Sequence, residues 1–563
     1  MKKLFYGLIA LGLLNVTACK NETMELQKLL IKIESKVQPM RTESALAQWN
    51  GSISGREEDF AKSAALQQKM TEYFSNKETF AELKQLKESN KITDSLLLRQ
   101  LDIVYNLFLS NQADTTLLKQ IIQKSVNLEK VYGEYRAQLN GKPINDNQVE
   151  DILRNSTNNK ELEQVWLSHK GIGKLVEKDI IELVKLRNKV AQSLGFDNFH
   201  TMTLKLLGQD PAEVSAIFDE LDNLTSASFA QLKDEMDEAF AKRYKVKKED
   251  LMPWHFQGRY FQEAPNLYPV DLDKYYVGKN LETLTGDFYT SIGLETSSIL
   301  QNSSLYPQEG KNQHAFSTDI DGKGDVRILC NLASNEQWMG TMLHEFGHGV
   351  YSKGHDGNLN LPYFLREAAH PFTTEGVAML FERFSRHAGW MQKSLNLTNK
   401  EKEEIEANCV KATRLQQVVL CRWNQVMYRF EKEMYANPNQ DLNALWWTLV
   451  EKYQRLKKPI GRNEPDYATK IHVALYPCYY HNYQLGELFA SQMHHYIVNN
   501  VTKTGNMQDD YYFGNKEVGK WLQNKIFAPG MTYQWNDLIK RATGEKLTAK
   551  YYAEQFELSL KRI

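Results

Sequence analysis

Apolar residues recur at three- and four-residue steps through most of this chain, and that period predicts helices. The pattern predicts helical segments over residues 24–37, 56–74, 95–109 and 116–139, with few prolines between them. It is strongest over residues 164–194, where Val165, Ile172, Val176, Ile180, Val184 and Val190 fall on one stripe ahead of Gly195. After Asp210-Pro211 another run reaches Arg243 and ends in the basic patch 242–248, which reads as a solvated helix end. Residues 252–270 are rich in proline and aromatics and read as an irregular connection. Between residues 301 and 331 the character changes. Pro307, Gly310, Gly322 and Gly324 punctuate short apolar stretches, and Val326-Arg327-Ile328-Leu329-Cys330 reads as part of a strand hairpin. From Trp338 onward the helical period returns. The expectation is a mostly α protein: one large helical unit over residues 19–563, its stripes serving as packing faces, with a short β-hairpin just ahead of the Trp338 helix.

The first residues depart from this plan. Lys2 and Lys3 precede an apolar run over residues 4–14 that is too short for a comfortable membrane span, and Val16-Thr17-Ala18-Cys19 follows. This resembles a bacterial lipoprotein signal: residues 1–18 would be removed and a lipid attached to the Cys19 thiol. The expectation is an exported protein of the cell envelope, tethered through that lipid alone, because no later stretch has eighteen consecutive apolar residues.

Composition narrows the function classes. With 563 residues, 42% hydrophobic content and a formal net charge of −1, the chain can bury a large core and has no charge excess suited to nucleic acid. Beyond Cys19 only Cys330, Cys409, Cys421 and Cys478 remain, none at C-x-x-C spacing, so neither a disulfide framework nor a cysteine-ligated metal is expected. Their pairing and the oligomeric state are not legible.

The chemistry concentrates at Thr341-Met342-Leu343-His344-Glu345-Phe346-Gly347-His348-Gly349-Val350, which contains H-E-x-x-H. On a helix, His344 and His348 lie on one face a turn apart, so both imidazoles reach one ion, with the Glu345 carboxylate beside them. Two neutral imidazoles suit Zn2+, which needs one further protein ligand and an open position for water in a hydrolytic site. Met339, Met342, Leu343, Phe346 and Val350 would form the core stripe of the same helix. Downstream, Asp356, Glu367, Glu375 and Glu382 are candidates for the third ligand. Asp356 lies close by in a glycine-rich turn, and spacing does not separate Glu367 from Glu375.

Resemblance separates them. Leu365-Arg366-Glu367-Ala368-Ala369-His370-Pro371-Phe372-Thr373-Thr374-Glu375 is similar, without a gap, to the L-R-E-G-A-N-P-G-F-H-E ligand segment of the angiotensin-converting-enzyme family, peptidase family M2. His314-Ala315 with Asp319 resembles that family's H-A-S-A-W-D strand, Asp466-Tyr467-Ala468-Thr469-Lys470-Ile471-His472 its D-P-G-A-K-F-H segment, and Tyr480-His481-Asn482-Tyr483 its Y-I-R-Y. The matches occur in the family's chain order. The resemblance implies a helical gluzincin fold with a deep central cleft, one zinc held by His344, His348 and Glu375, and Glu345 taking a proton from the attacking water. Tyr483 would donate to the developing oxyanion. Lys470 and Tyr480 would hold the substrate's terminal carboxylate, His314 and His472 a peptide carbonyl, and Ala315 the extended substrate backbone. Lys470 and His472 would share a face if their segment is a strand. His355, His370, His481, His494 and His495 read as structural or solvated.

The implied activity is zinc-dependent release of dipeptides from the C-terminus of oligopeptides. Two other functions fit the same motif: internal cleavage by a related helical oligopeptidase, and a non-catalytic peptide-binding surface lipoprotein. Several positions depart from the family pattern. Lys470 and Tyr480 are one residue further apart than usual, the family's arginine between the tyrosines, associated with chloride activation, is Asn482, and its aspartate four residues after the ligand glutamate is Met379. Its carboxylate-binding glutamine is not clearly reproduced at Trp254-His255-Phe256-Gln257.

Overall fold

The structure, a computed structural model, describes the backbone of residues 2–557 and the side chains of residues 22–557. The proposed leader and Cys19 therefore lie outside the described side chains. Helices account for most of the chain, and the described strands form two antiparallel hairpins: β1 (Ala137–Leu139) with β2 (Lys142–Ile144), and β3 (Phe316–Asp319) with β4 (Val326–Leu329). Among the described residues no helix is long and apolar enough to cross a membrane. Cys330, Cys409, Cys421 and Cys478 are all buried, unpaired thiols.

Several predicted helices change at their ends, for local reasons. The first runs as Lys2–Ser54, past the expected end at residue 37 and through Pro39. Its far half carries the buried Trp49, which packs with Ile320 and Leu329 of the second hairpin, and this tertiary contact outweighs the proline. The segment 116–139 is a helix only over Thr115–Glu134; beyond it β1 turns into β2 at Asn140-Gly141, both with positive φ, as a tight hairpin requires. The stripe 164–194 is two helices, Asn159–Lys170 and Ile172–Ser193. The Tyr135 hydroxyl hydrogen-bonds the Ser168 carbonyl at the join, and a Cβ on Gly171 would meet that hydroxyl at 2.7 Å.

The largest buried cluster extends from Leu128 to Phe556, while the N-terminal helices close a second one that includes Tyr363 and Phe364. Three helices of the large core carry the chemistry: the metal helix Glu336–Asp356, the ligand helix Pro371–Glu382 and the tyrosine helix His481–Tyr496. The expected stripe of the metal helix is buried, Met339, Met342, Leu343 and Phe346 completely. Asn335 caps its first turn by accepting the Trp338 N–H.

The β3–β4 hairpin lies beside this helix with Phe316 opposite Leu329 and Asp319 opposite Val326. The outer edge of β4 is already used, Ser304 bridging to Leu329. Among the described residues β3 has no strand on its other side.

Candidate metal centre

Two glycines let the three helices approach closely enough to share one site. A Cβ on Gly347 would lie 2.7 Å from the Ala378 Cα of the ligand helix, and one on Gly376 would lie 2.8 Å from Cδ1 of Phe489 and 3.0 Å from the Gly486 carbonyl of the tyrosine helix. The ligand helix is started by Pro371, and His370 caps it by accepting the Phe372 N–H on Nδ1. His370 is thus a structural histidine, held by burial at about 3.

This packing brings His344, His348 and Glu375 together. Their Nε2, Nε2 and Oε2 atoms are separated by 3.1 Å between the histidines, 3.7 Å from His344 to Glu375 and 3.9 Å from His348 to Glu375. The circle through three atoms so spaced has a radius of about 2.1 Å, the distance zinc keeps from imidazole nitrogen and carboxylate oxygen. The residues fit the ion. Of the other candidates, Glu367 pairs with Arg41 and is largely exposed, and Asp356 joins a different carboxylate group at the helix end.

Each imidazole is fixed from behind. His344 Nδ1 is 2.8 Å from Glu382 Oε2, and a carboxylate only accepts, so Nδ1 carries the hydrogen and Nε2 faces the cluster. His348 Nδ1 is 2.8 Å from Thr374 Oγ1. Burial pulls His344 down, but the Glu382 hydrogen bond and charge, with Glu345 and Glu375, outweigh it and raise this histidine to about 9. His348 is pushed to about 3 by burial and by His344. Burial raises Glu345 to about 7, a shift to which the charges of Glu375 and Glu382 add and which His344 and the Ser317 N–H of β3 oppose. A carboxylate so placed is poised for proton transfer near neutrality.

The remaining predicted residues divide into two groups. Ala315 sits half-buried just before β3, and the neighbouring His314 is exposed, with its N–H donating to Asn312 Oδ1. At the other group, Lys470 Nζ donates to Gln262 Oε1 at 2.6 Å and lies 4.9 Å from the Tyr260 ring, 5.6 Å from Tyr480 and 5.7 Å from Trp423. The expected strand around Lys470 is absent: Asp466–Thr469 is a 3-10 turn and Ile471–Leu475 a short helix. Asp466 holds this turn by accepting from Arg462 and from the Trp447 indole. Lys470 and His472 converge anyway, because the His472 ring packs 5.1 Å from that of Tyr480. Tyr480 therefore lies against Lys470, and Tyr483 stacks edge-on beside it at 5.3 Å. Tyr479 and Tyr483 instead both sense the charge of Glu375.

A profile of peptidase family M2, described as angiotensin-converting enzyme, matches residues 20–558. The chain belongs to this family. It is 23% identical over 429 residues to the angiotensin-converting enzyme of Mesocricetus auratus, covering 70% of this chain but 32% of that protein. Identity to the Theromyzon tessulatum enzyme is 22% over 521 residues, covering 84% of this chain and 82% of the relative; for Haematobia irritans exigua it is 23% over 455 residues, covering 73% and 72%. At family level the chain is a metallopeptidase, a hydrolase of the zinc class.

Against the M2 pattern, the roles of Gln262, Glu382 and Thr374 escape sequence reasoning. Gln262 stands at Lys470 where the family's glutamine was sought near Trp254, while Gln257 is occupied with the Arg154 carbonyl and the Asn266 N–H. Only its place in an aromatic loop hinted at it. Glu382 and Thr374 support the histidines where the M2 aspartate is missing, and flank the ligand glutamate within its own helix. Asn482, at the M2 arginine position, is fully buried and accepts from Gln209 Nε2 at 2.9 Å.

Proposed function

We propose that this M2 peptidase releases dipeptides from the free C-terminus of oligopeptides. The observation that carries the reading is the state of Lys470. Its ammonium is buried, its hydrogen-bond acceptor is the neutral Gln262 amide, and among the described residues no carboxylate lies within ion-pair distance of it. Burial, with the charge of Arg259, lowers it to about 8. A buried cation without an anion is costly, and a substrate carboxylate supplies the missing charge. Tyr480 and Gln262 would complete that clamp, and His472, held neutral at about 4 by burial and then by Lys470, would donate to a neighbouring peptide carbonyl.

Zinc held by His344, His348 and Glu375 would polarise the scissile carbonyl and acidify a water molecule. Glu345 takes the proton from that water and returns it to the leaving amine. Tyr483 donates its hydroxyl to the carbonyl oxygen as negative charge develops, an interaction strongest in the transition state. His314 and Ala315 flank the free edge of β3, where an extended substrate adds backbone hydrogen bonds. The lysine-flanked apolar leader ending at Cys19 supports a lipid-anchored enzyme of the cell envelope.

The test is a matched pair of peptides with free and amidated C-termini. A fall in kcat/KM of roughly 10²–10³ on amidation is expected, equivalent to loss of about 3–4 kcal/mol of charged hydrogen bonding. Mass spectra should show successive loss of two residues. Equal rates, or internal cuts, would replace the reading with an oligoendopeptidase.

A further inference from the structure

Outside the histidine–glutamate cluster, the described residues contain one other group of side chains with metal-ligand spacing. Asp319, Asp321 and Asp356 each place a carboxylate oxygen within 4.8 Å of the others. Asp319 closes β3, Asp321 lies in the hairpin turn, and Asp356 is the last residue of the metal helix. None of the three takes part in the chemistry above.

Acidic groups often cluster without consequence, but this one contains an unusual member. Asp356 is fully buried, and neither of its carboxylate oxygens has a hydrogen-bond partner. His355 Nδ1, also buried and without a hydrogen-bond partner, stands 3.0 Å from Asp356 Oδ1. A fully buried carboxylate with Oδ2 unmet and Oδ1 facing only an imidazole that does not hydrogen-bond it is costly unless a cation completes it. The two turn aspartates are shaped differently. Asp319 Oδ1 accepts the Asp321 and Gly322 N–H groups, and Asp321 Oδ1 accepts those of Lys323 and Asp325, so each spends one oxygen on the turn and keeps the other. Burial and then the charge of Asp356 raise Asp319 to about 7.

We propose that Asp319, Asp321 and Asp356 hold a calcium ion that ties the turn of the β3–β4 hairpin to the C-terminal end of the metal helix. The donors are all carboxylate oxygens, the set that hard cations take, and a magnesium ion would need to keep more of its water than a fully buried Asp356 permits. The segment Asp319-Ile320-Asp321-Gly322-Lys323-Gly324 has carboxylates at the first and third positions and glycine at the sixth, as calcium loops do. Lys323 occupies the fifth position and is exposed, and Asp356 from the helix takes over that ligand's part. The negative end of the helix dipole adds to the attraction. Eight residues separate Asp356 from His348, about 12 Å along the helix, so the ion is distinct from the catalytic one. Its effect is on β3: the strand whose Ser317 N–H faces Glu345 is fastened at its far end to the helix that carries Glu345.

Isothermal titration of calcium into the zinc-loaded full chain tests the site without reference to peptide hydrolysis. One equivalent should bind, and at a hundredfold excess over Kd the melting temperature should rise by about 2 °C. Asp321→Asn keeps the oxygen that accepts the turn N–H groups, and Asp356→Asn relieves repulsion, so both variants should fold with unchanged zinc content and circular dichroism yet take up no calcium. Absence of calcium uptake by the native chain, or equal uptake by both variants, would overturn the proposal.

Discussion

Glu382→Gln separates two things that Glu382 does for His344. It orients the ring and raises its basicity, which favours the metal, and it also raises the proton affinity of the metal-free site, which competes with the metal. In the native chain His344 is raised to about 9, so at pH 7 roughly one metal-free molecule in a hundred has this ligand deprotonated. Apparent zinc affinity should therefore climb about tenfold per pH unit and level off near pH 9. His348, held near 3, contributes no slope in this range. In the variant the amide oxygen still accepts from Nδ1 but the charge is gone, and burial pulls His344 back towards or below its ordinary 6.5, with Glu345 and Glu375 offsetting part of the fall.

Above pH 9 the variant should bind zinc about 10–100-fold more weakly, the usual cost of losing a carboxylate behind a metal-bound histidine. Towards pH 7 that deficit should shrink by up to about a hundredfold, because the native chain alone pays the proton competition. Competition against a chromophoric chelator of known pH dependence, from pH 6 to 9.5, measures both curves. Parallel curves with a constant offset would refute the argument, since they would mean that Glu382 does not set the His344 proton.

Tyr483→Phe should lower kcat by roughly 10²–10³ with KM little changed, while Tyr479→Phe should leave kcat nearly intact; steady-state kinetics on one free peptide distinguishes them. Gly347→Ala places a methyl 2.7 Å from the Ala378 Cα, so the metal and ligand helices must part; a loss of about 1–3 kcal/mol in denaturant unfolding and weaker zinc retention on dialysis are expected. Glu431 is fully buried, and burial, opposed by the Cys478 N–H and Arg187, raises it to about 8. The folded state keeps a proton there that the unfolded chain releases above about pH 4.5, so native stability is lost as pH rises towards 8. Glu431→Gln should remove that slope and raise the melting temperature at pH 8.5 by up to about 4 °C, with no gain at pH 4.5.

What was legible in the sequence follows the range of the interaction that determines it. His344 and His348 are fixed by covalent spacing on one helix, and the core stripe of that helix is a local period, so both read directly. The β3–β4 hairpin announced itself through its glycines. The Asn140-Gly141 turn carried an equally local signal that the helical period around it obscured. Gln262 had no such signal, because its place at Lys470 depends on an irregular loop meeting a turn 208 residues later. Lys470 and His472 read as strand neighbours, yet they share a site through Tyr480, which packs against both.

The replacement at residue 379 shows how such a site tolerates change. In an M2 ligand helix the orienting aspartate lies four residues after the ligand glutamate; here that position is Met379, whose Sδ lies towards Gly486 of the tyrosine helix. Positions 375, 379 and 382 lie at steps of four and three on one helical face, so a carboxylate at 382 meets the metal helix one turn further along. It meets His344, a turn before His348, and Thr374 beside the ligand glutamate takes His348. Both rings thus keep a fixed Nδ1 partner although the M2 residue that supplied one is gone. The requirement is on the face and its spacing, and a gapless alignment inspecting position 379 alone reads as a loss what the helix period shows to be a displacement by one turn.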